Sequence, residues 1–240
     1  DIRLKVIEEL VARVHIKYMI LEKVVFQSIT DFEEAILLLE NKNISAWVNC
    51  PRRIFPFFKE IKKETEISDK VSIKVQGSNW GMACNSIHMI DLLSFLTGET
   101  NFTLDRKYLD RHIFESKRKG FMELGGKLIA TSERGDKLEM SDLRPIEKPF
   151  KFSIYFDGKQ IEVDQSSGWI NKQSINSKEN SFKKKYKFPM QSEITAIQVE
   201  EILSSGNSQL TSLHESYILH KPLLDSFNSH FSSVLKKPVT

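Results

Sequence analysis

The order strand, helix, strand between His15 and Cys50 constrains this chain more than any other feature. "HIKYMILEK" is a short apolar, β-friendly run, and Thr30 with Glu33 has the spacing of a helix capping box. Phe32, Ala35, Ile36 and Leu39 then follow at the helical period before "ISAWVNC" resumes as a strand. Two strands joined by a helix over such short connections imply a right-handed crossover in a parallel sheet. One such unit does not cover both faces of a doubly wound sheet, so the pattern reads as the end of a Rossmann-type α/β part, preceded by a helix over residues 4–14.

The second half has a different rhythm. A helix is expected over residues 54–65, with Pro56 in its first turn, where the missing amide proton costs nothing. "KETEISDK" is a polar linker, which divides the chain into residues 1–66 and 67–240. Beyond it come a strand in "KVSIKVQGSNW", a helix over 82–97, and strand-like runs near 101–109, 112–122, 126–132, 137–142, 151–157 and 160–164. The turn in "FDGKQ" has the chemistry of a two-residue hairpin, and helices close the chain at about 191–204 and 212–234. The predicted fold class is an α/β Rossmann-type remnant followed by an α+β domain with a large, mostly antiparallel open sheet.

Charge and composition remove several functions. The 35 basic and 32 acidic residues leave a net charge of only +3, too balanced to point to a nucleic-acid partner. The lysine run "SFKKKYKF" reads as the wet face of a strand at a sheet edge. No stretch reaches the roughly 18 apolar residues of a membrane span. Two cysteines, Cys50 and Cys84, are too few for a disulfide scaffold, although they could pair if close, so a cytoplasmic protein is expected. No second Cys or His pair recurs at metal-ligand spacing, so no metal is expected.

The candidate chemistry lies in "SNWGMACNSIHMIDLLSFLTGE", residues 78–99. Helical spacing puts Cys84, His88 and Asp91 on one stripe of an otherwise apolar helix, with Gly81 and Asn85 beside it. Buried polar atoms cost roughly 1–3 kcal/mol each when unpaired, so the stripe faces either a pocket or a dedicated polar network. A Cys84–His88 nucleophilic pair would need geometry that residues four apart on a helix seldom provide. Glu22 and Lys23 close the first strand, and Arg52 and Arg53 follow the second. Ligands of open α/β sheets bind beyond the carboxyl ends of strands, and paired arginines there can clamp an anion.

Taken in order, these segments resemble the Gfo/Idh/MocA (glucose-fructose oxidoreductase and inositol dehydrogenase) family. "ILEKVV" is similar to the family's Glu-Lys-Pro strand end, with Val24 in place of proline. "PRRIFP" keeps Arg52, Arg53 and Pro56 of the next pattern. "CNSIHMIDLLSFLTGE" keeps His88, Ile90, Asp91 and Gly98, with Cys84 where the family has Asp and Ser86 where it has Gly.

The resemblance implies an NAD- or NADP-dependent oxidoreductase of a sugar or nucleotide-sugar. Lys23 and His88 would be catalytic, Asn85, Arg53 and Asp91 would contact substrate, and Glu22, Lys23 and Arg52 would contact cofactor. Oxidising a carbinol needs the hydroxyl proton removed by a base within hydrogen-bond reach, which is the role implied for Lys23. The family's G-x-G-x-x-G turn does not occur in the sequence. The expectation is therefore a partial chain of such an enzyme, or else a non-catalytic sugar-binding or assembly module. Either would form a homo-oligomer through an open sheet face rich in Phe and Ile.

Overall fold

A computed structural model describes residues 2–175 and 181–235. Helix α1 (Arg3–Arg13) precedes strand β1 (Tyr18–Leu21), and α2 (Ile29–Asn41) leads into β2 (Ser45–Val48). β1 and β2 pair in parallel, Tyr18 opposite Ser45 and Leu21 opposite Val48, which is the expected crossover. α2 buries Phe32, Ala35, Ile36 and Leu39, the stripe read from the sequence. Its cap differs from that reading. Ser28, not Thr30, is the N-cap, and its hydroxyl accepts the Asp31 N–H at 3.3 Å. Glu33, which would have completed the box, instead accepts a hydrogen bond from the Tyr217 hydroxyl. A long-range partner has displaced the local one.

A 3-10 turn (Pro51–Ile54) and α3 (Pro56–Thr65) follow, with Pro56 at the first helical position. Then come β3 (Ser72–Gly77), α4 (Met82–Thr97), β4 (Phe102–Glu115), β5 (Met122–Ser132), β6 (Lys137–Asp142) and β7 (Lys151–Phe156). β8 (Lys159–Asp164), β9 (Trp169–Ser174), β10 (Phe182–Lys185), α5 (Gln191–Ser205), β11 (Thr211–Ser212) and α6 (Leu213–Leu235) complete the order. The runs expected at 101–109 and 112–122 are largely one strand, β4. It absorbs its uneven spacing through register shifts between Asp105 and Tyr108 and between Leu109 and Ile113. Asp157 and Gly158, at φ 46° and 67°, form the tight hairpin turn between β7 and β8.

β4 to β10 and β3 form an eight-stranded sheet in the order β10-β9-β8-β7-β3-β6-β5-β4, antiparallel throughout except for the parallel pair β3–β6. Ile73, Val75, Leu138, Met140, Phe152 and Ile154 belong to the main core, which they share with residues of α3, α4 and α6. Alternation sends their neighbours to the other face, where Lys74 lies opposite Glu139 and Tyr155 opposite Gln160. Lys127 pairs with Glu139 there at 3.1 Å. The open face is therefore charged and polar. The expectation of a face rich in Phe and Ile fails because those side chains are the ones drawn to the helices. β10 is an exposed edge, and Lys183 and Lys185 stack over Trp169 at 4.6 and 5.4 Å.

A smaller core holds Val25, Phe26, Phe32, Leu39 and Val48. The chain returns to it at the end: β11 pairs antiparallel with β2, and α6 packs on α2, α4 and β4. In the other direction Phe57, Phe58 and Ile61 of α3 pack into the core of the large sheet. The linker after residue 66 thus separates two sheets that lend each other elements. Among the described residues no helix is long and apolar enough to cross a membrane.

Candidate functional site

The parallel pairing of β1 and β2 places their carboxyl ends side by side, so Glu22 and Lys23 stand next to Asn49 and the arginine pair. The Asn49 N–H donates to the Leu21 carbonyl at 2.8 Å. Asn49 also donates through Nδ2 to Glu22 Oε2 at 2.9 Å and accepts at Oδ1 from Gln198 of α5 at 3.0 Å. Arg3 of α1 clamps the segment after β1 by donating to the Glu22 carbonyl at 3.1 Å and to the carbonyls of Val24 and Val25. The Lys23–Val24 peptide is cis.

Opposite this edge, α4 begins at Gly81, which is left-handed at φ 75° and offers no side chain to cap the helix. Glu123 of β5 supplies the missing acceptor, taking the Ala83 N–H at 2.9 Å, and burial pushes its carboxyl above the usual range. A Cβ on Gly81 would stand 3.1 Å from Asn85 Nδ2 and 3.3 Å from Glu123 Oε1, so glycine answers both to conformation and to space. Trp80 is anchored by its indole N–H on the Ser141 carbonyl at 3.0 Å.

Lys23 reaches across to this helix start. Its ammonium donates to Asn85 Oδ1 at 2.5 Å and to the Cys84 carbonyl at 3.1 Å, and lies 3.4 Å from the Cys84 sulfur. Asn85 is itself oriented by donating to the Trp80 carbonyl at 2.6 Å. Cys84 is exposed and Cys50 buried, and both are free thiols, so the two do not pair. Burial pushes the Cys50 thiol well up.

The polar stripe of α4 runs from surface to core: Cys84 is exposed, His88 half-buried and Asp91 buried. At its inner end Arg53 donates to Asp91 at 2.9 Å and to Glu215 of α6 at 2.8 Å, and Thr211 also donates to Asp91. Burial works against the Arg53 charge, but Asp91 and Glu215 outweigh it and hold its pKa above the ordinary value. Arg53 thus spends its donors on Asp91 and Glu215, while Asp91 accepts both of its bonds at Oδ1 and leaves Oδ2 buried without a partner.

Between the two ends the groups are less satisfied. The Nδ1 of His88 is buried without a hydrogen-bond partner, and burial, then Arg52, Lys23 and His220, hold its pKa well below the usual histidine value. The ring is therefore neutral near pH 7 and forms no bond to Cys84 through that nitrogen. Arg52 donates from Nη2 to Gln165, in the β8–β9 turn, at 2.9 Å, while its Nε is buried and unpartnered. Burial lowers the Arg52 pKa to about 10. His220 of α6 is fully buried, with Nδ1 2.7 Å from the Ser216 carbonyl, which places the proton on Nδ1 and leaves Nε2 bare and unpartnered. Burial, aided by Lys23 against the pull of the Ser216 carbonyl, lowers the His220 pKa to about 4.

The structure thus gathers Glu22, Lys23, Asn85, His88 and Arg52 at one edge and sends Arg53 with Asp91 into the interior. Sequence reasoning missed Arg3, Gln165 and His220. Only His220 had a visible signal, a histidine on the apolar stripe Leu219, Leu223, Phe227 of the closing helix. A cavity of about 520 Å³ lies elsewhere, between α6 and the β4 and β5 ends, lined by Thr100, Ser132, Tyr217, Lys221 and Asp225.

No family model matches the sequence. No curated protein matches it either. Solved structures do. UDP-N-acetylglucosamine 3-dehydrogenase GnnA from Acidithiobacillus ferrooxidans superposes with a TM-score of 0.64 at 11% identity, over 94% of this chain and 73% of that one. An oxidoreductase from Agrobacterium radiobacter in complex with NAD+, L-tartaric acid and magnesium gives 0.66 at 14%, over 97% and 75%. The transcriptional regulator Gal80p from Kluyveromyces lactis gives 0.64 at 15%, over 98% and 72%. At these identities the likeness establishes the fold: the chain is built like these oxidoreductases and this regulator, a Rossmann-like α/β part joined to a large open sheet, as the resemblance to the Gfo/Idh/MocA family implied.

Proposed function

We propose that this chain carries the substrate side of an NAD- or NADP-dependent oxidoreductase acting on a hydroxyl of a sugar or nucleotide-sugar. The observation that carries the reading is Lys23, presented at the carboxyl end of β1 and steered by Asn85 towards a neutral His88. Lys23, once deprotonated, takes the proton of the reacting hydroxyl as that carbon is oxidised. His88 Nδ1 has spare hydrogen-bonding capacity for the same or the adjacent hydroxyl, and Asn85 holds the lysine in line and offers its amide to the substrate. Asp91 and Arg53 support the wall from behind.

Glu22, Lys23 and Arg52 border the face where a nicotinamide and its ribose fit, since a carboxylate, an amine and a guanidinium line one strand-end edge. A nicotinamide dinucleotide, when bound, supplies the hydride acceptor. The Gly-rich turn that would hold a pyrophosphate is not in this sequence. The likeness to the transcriptional regulator Gal80p supports a second reading: a non-catalytic sugar-binding or assembly module. In both readings self-association rests on the family resemblance alone, since the open face of the large sheet is charged, and sedimentation at rising salt tests it.

The deciding experiment titrates the chain with NADH and NADPH, following energy transfer from tryptophan to the nicotinamide, and assays turnover of candidate sugars. The enzyme reading expects saturable binding, and a kcat that falls on the order of 10²–10⁴-fold in Lys23→Ala while the melting temperature holds. Sugar binding with no dinucleotide binding would leave the module reading in its place.

A further inference from the structure

Resting on the reading of this edge as a sugar site, the geometry points to a substrate that carries an acid group, a carboxylate or a phosphate, and to Arg52 as the residue that binds it. Three observations converge. First, Arg52 has no ion pair among the described residues, although the neighbouring Arg53 takes two carboxylates. Its Nε–H is buried and unpartnered, and only Nη2 is tied, to the neutral Gln165. A buried donor left open costs roughly 1–3 kcal/mol, and a ligand acceptor relieves that cost.

Second, the nearby acids are bonded elsewhere, although the charge of Asp91 is felt at Arg52. Lys23 is bound by an amide, a carbonyl and a thiol, all neutral, while Asp91 is held by Arg53 and Thr211. Glu22, the acid beside Lys23, is exposed and bonded to Asn49. Two cations therefore flank a neutral histidine with no carboxylate bonded to either.

Third, Arg52, which borders the cofactor face, also lies near enough to His88 for its charge to act on that ring, so it stands where cofactor and substrate would meet. It is tethered to the β8–β9 turn of the large sheet, and its charge acts on the His88 ring more strongly than that of Lys23. With an Nη2 proton given to Gln165, the guanidinium keeps its buried Nε–H as an open, charge-assisted donor for one oxygen of an anion.

The test is calorimetric titration of the whole chain with D-glucuronate, D-glucose 6-phosphate and D-glucose. We expect one acidic sugar to bind at least about tenfold more tightly than glucose, the equivalent of a single charge-assisted hydrogen bond, and which one it is tells carboxylate from phosphate. Arg52→Gln should erase the preference and Arg52→Lys should keep part of it. In the wild-type chain the same ligand should raise the His88 pKa, read from its imidazole NMR signals, because the anion offsets the charge of Arg52. Equal binding of all three sugars, or a preference that survives Arg52→Gln, overturns the inference and leaves the sugar-site reading standing. Failure of all three to bind overturns the inference and, for free sugars, the reading it rests on.

Discussion

Arg52 and Arg53 are consecutive residues of one 3-10 turn and have opposite fates. Arg53 turns inward to two carboxylates, which hold its charge in place. Arg52 turns to a single amide oxygen, keeps a buried donor open, and has its pKa lowered to about 10 by burial. A buried charge that is paired is tolerated by a fold, and removing its partner is costly because the other charge is left uncompensated. One left without a counter-charge is a cost carried until something binds. On the proposed reading, the difference separates the supporting half of the candidate site from the half offered to a ligand.

The largest effect expected from breaking this contrast is on the Arg53 side. Arg53→Ala strands Asp91 as a buried acid and should cost about 3–5 kcal/mol in urea unfolding. A loss below about 1 kcal/mol would show that the network is not what holds the inner end of α4.

The Arg52 side should show itself in acid. His220 is buried and neutral in the folded chain, with its pKa lowered from 6.5 to about 4. Between those values the unfolded chain binds a proton that the folded one refuses, so stability falls as pH drops from about 6.5 towards 4 and levels off below. This residue alone contributes about 3 kcal/mol to that fall. His88, shifted in the same direction, adds to it. Melting His220→Leu beside the wild type from pH 7 to 4 should give the flatter profile for the variant, and parallel profiles would refute the assignment.

The smallest effect is the most diagnostic in sign. Arg52→Met removes a half-buried cation that has no ion pair among the described residues and should raise stability by up to about 1 kcal/mol, whereas the same change at Arg53 should lower it. A destabilised Arg52→Met would mean that Arg52 is already paired in solution, and the contrast would dissolve.

Local pattern carried much of the fold into the sequence. The crossover at 18–48, the helix at 82–97 and the Asp157–Gly158 hairpin each follow from a period or a turn residue read within a few positions. The site was legible as strand ends and a polar stripe, because both are local. What stayed hidden is partnership. Arg53 meets Asp91 and Glu215, which are 38 and 162 positions away, and Arg52 meets Gln165 at 113. Two adjacent arginines look identical until those partners are placed. The Thr30 box failed for the same reason, since Glu33 answers to Tyr217, 184 residues on. The open sheet face was misjudged because composition counts Phe and Ile without saying which way each strand turns them.

Helix α6 has a consequence for how the chain comes to be folded at all. It follows directly from β11, which completes the small sheet, and Asn228 near its other end donates to the Gln27 carbonyl at 3.3 Å. His230 bonds the Asp110 carbonyl of β4 at 2.9 Å, so one helix is fastened to both sheets. Neither core closes until this segment has been synthesised. Because both cores take side chains from this helix, a ribosome adding about 5–20 residues per second leaves both sheets partly uncovered for seconds before it arrives.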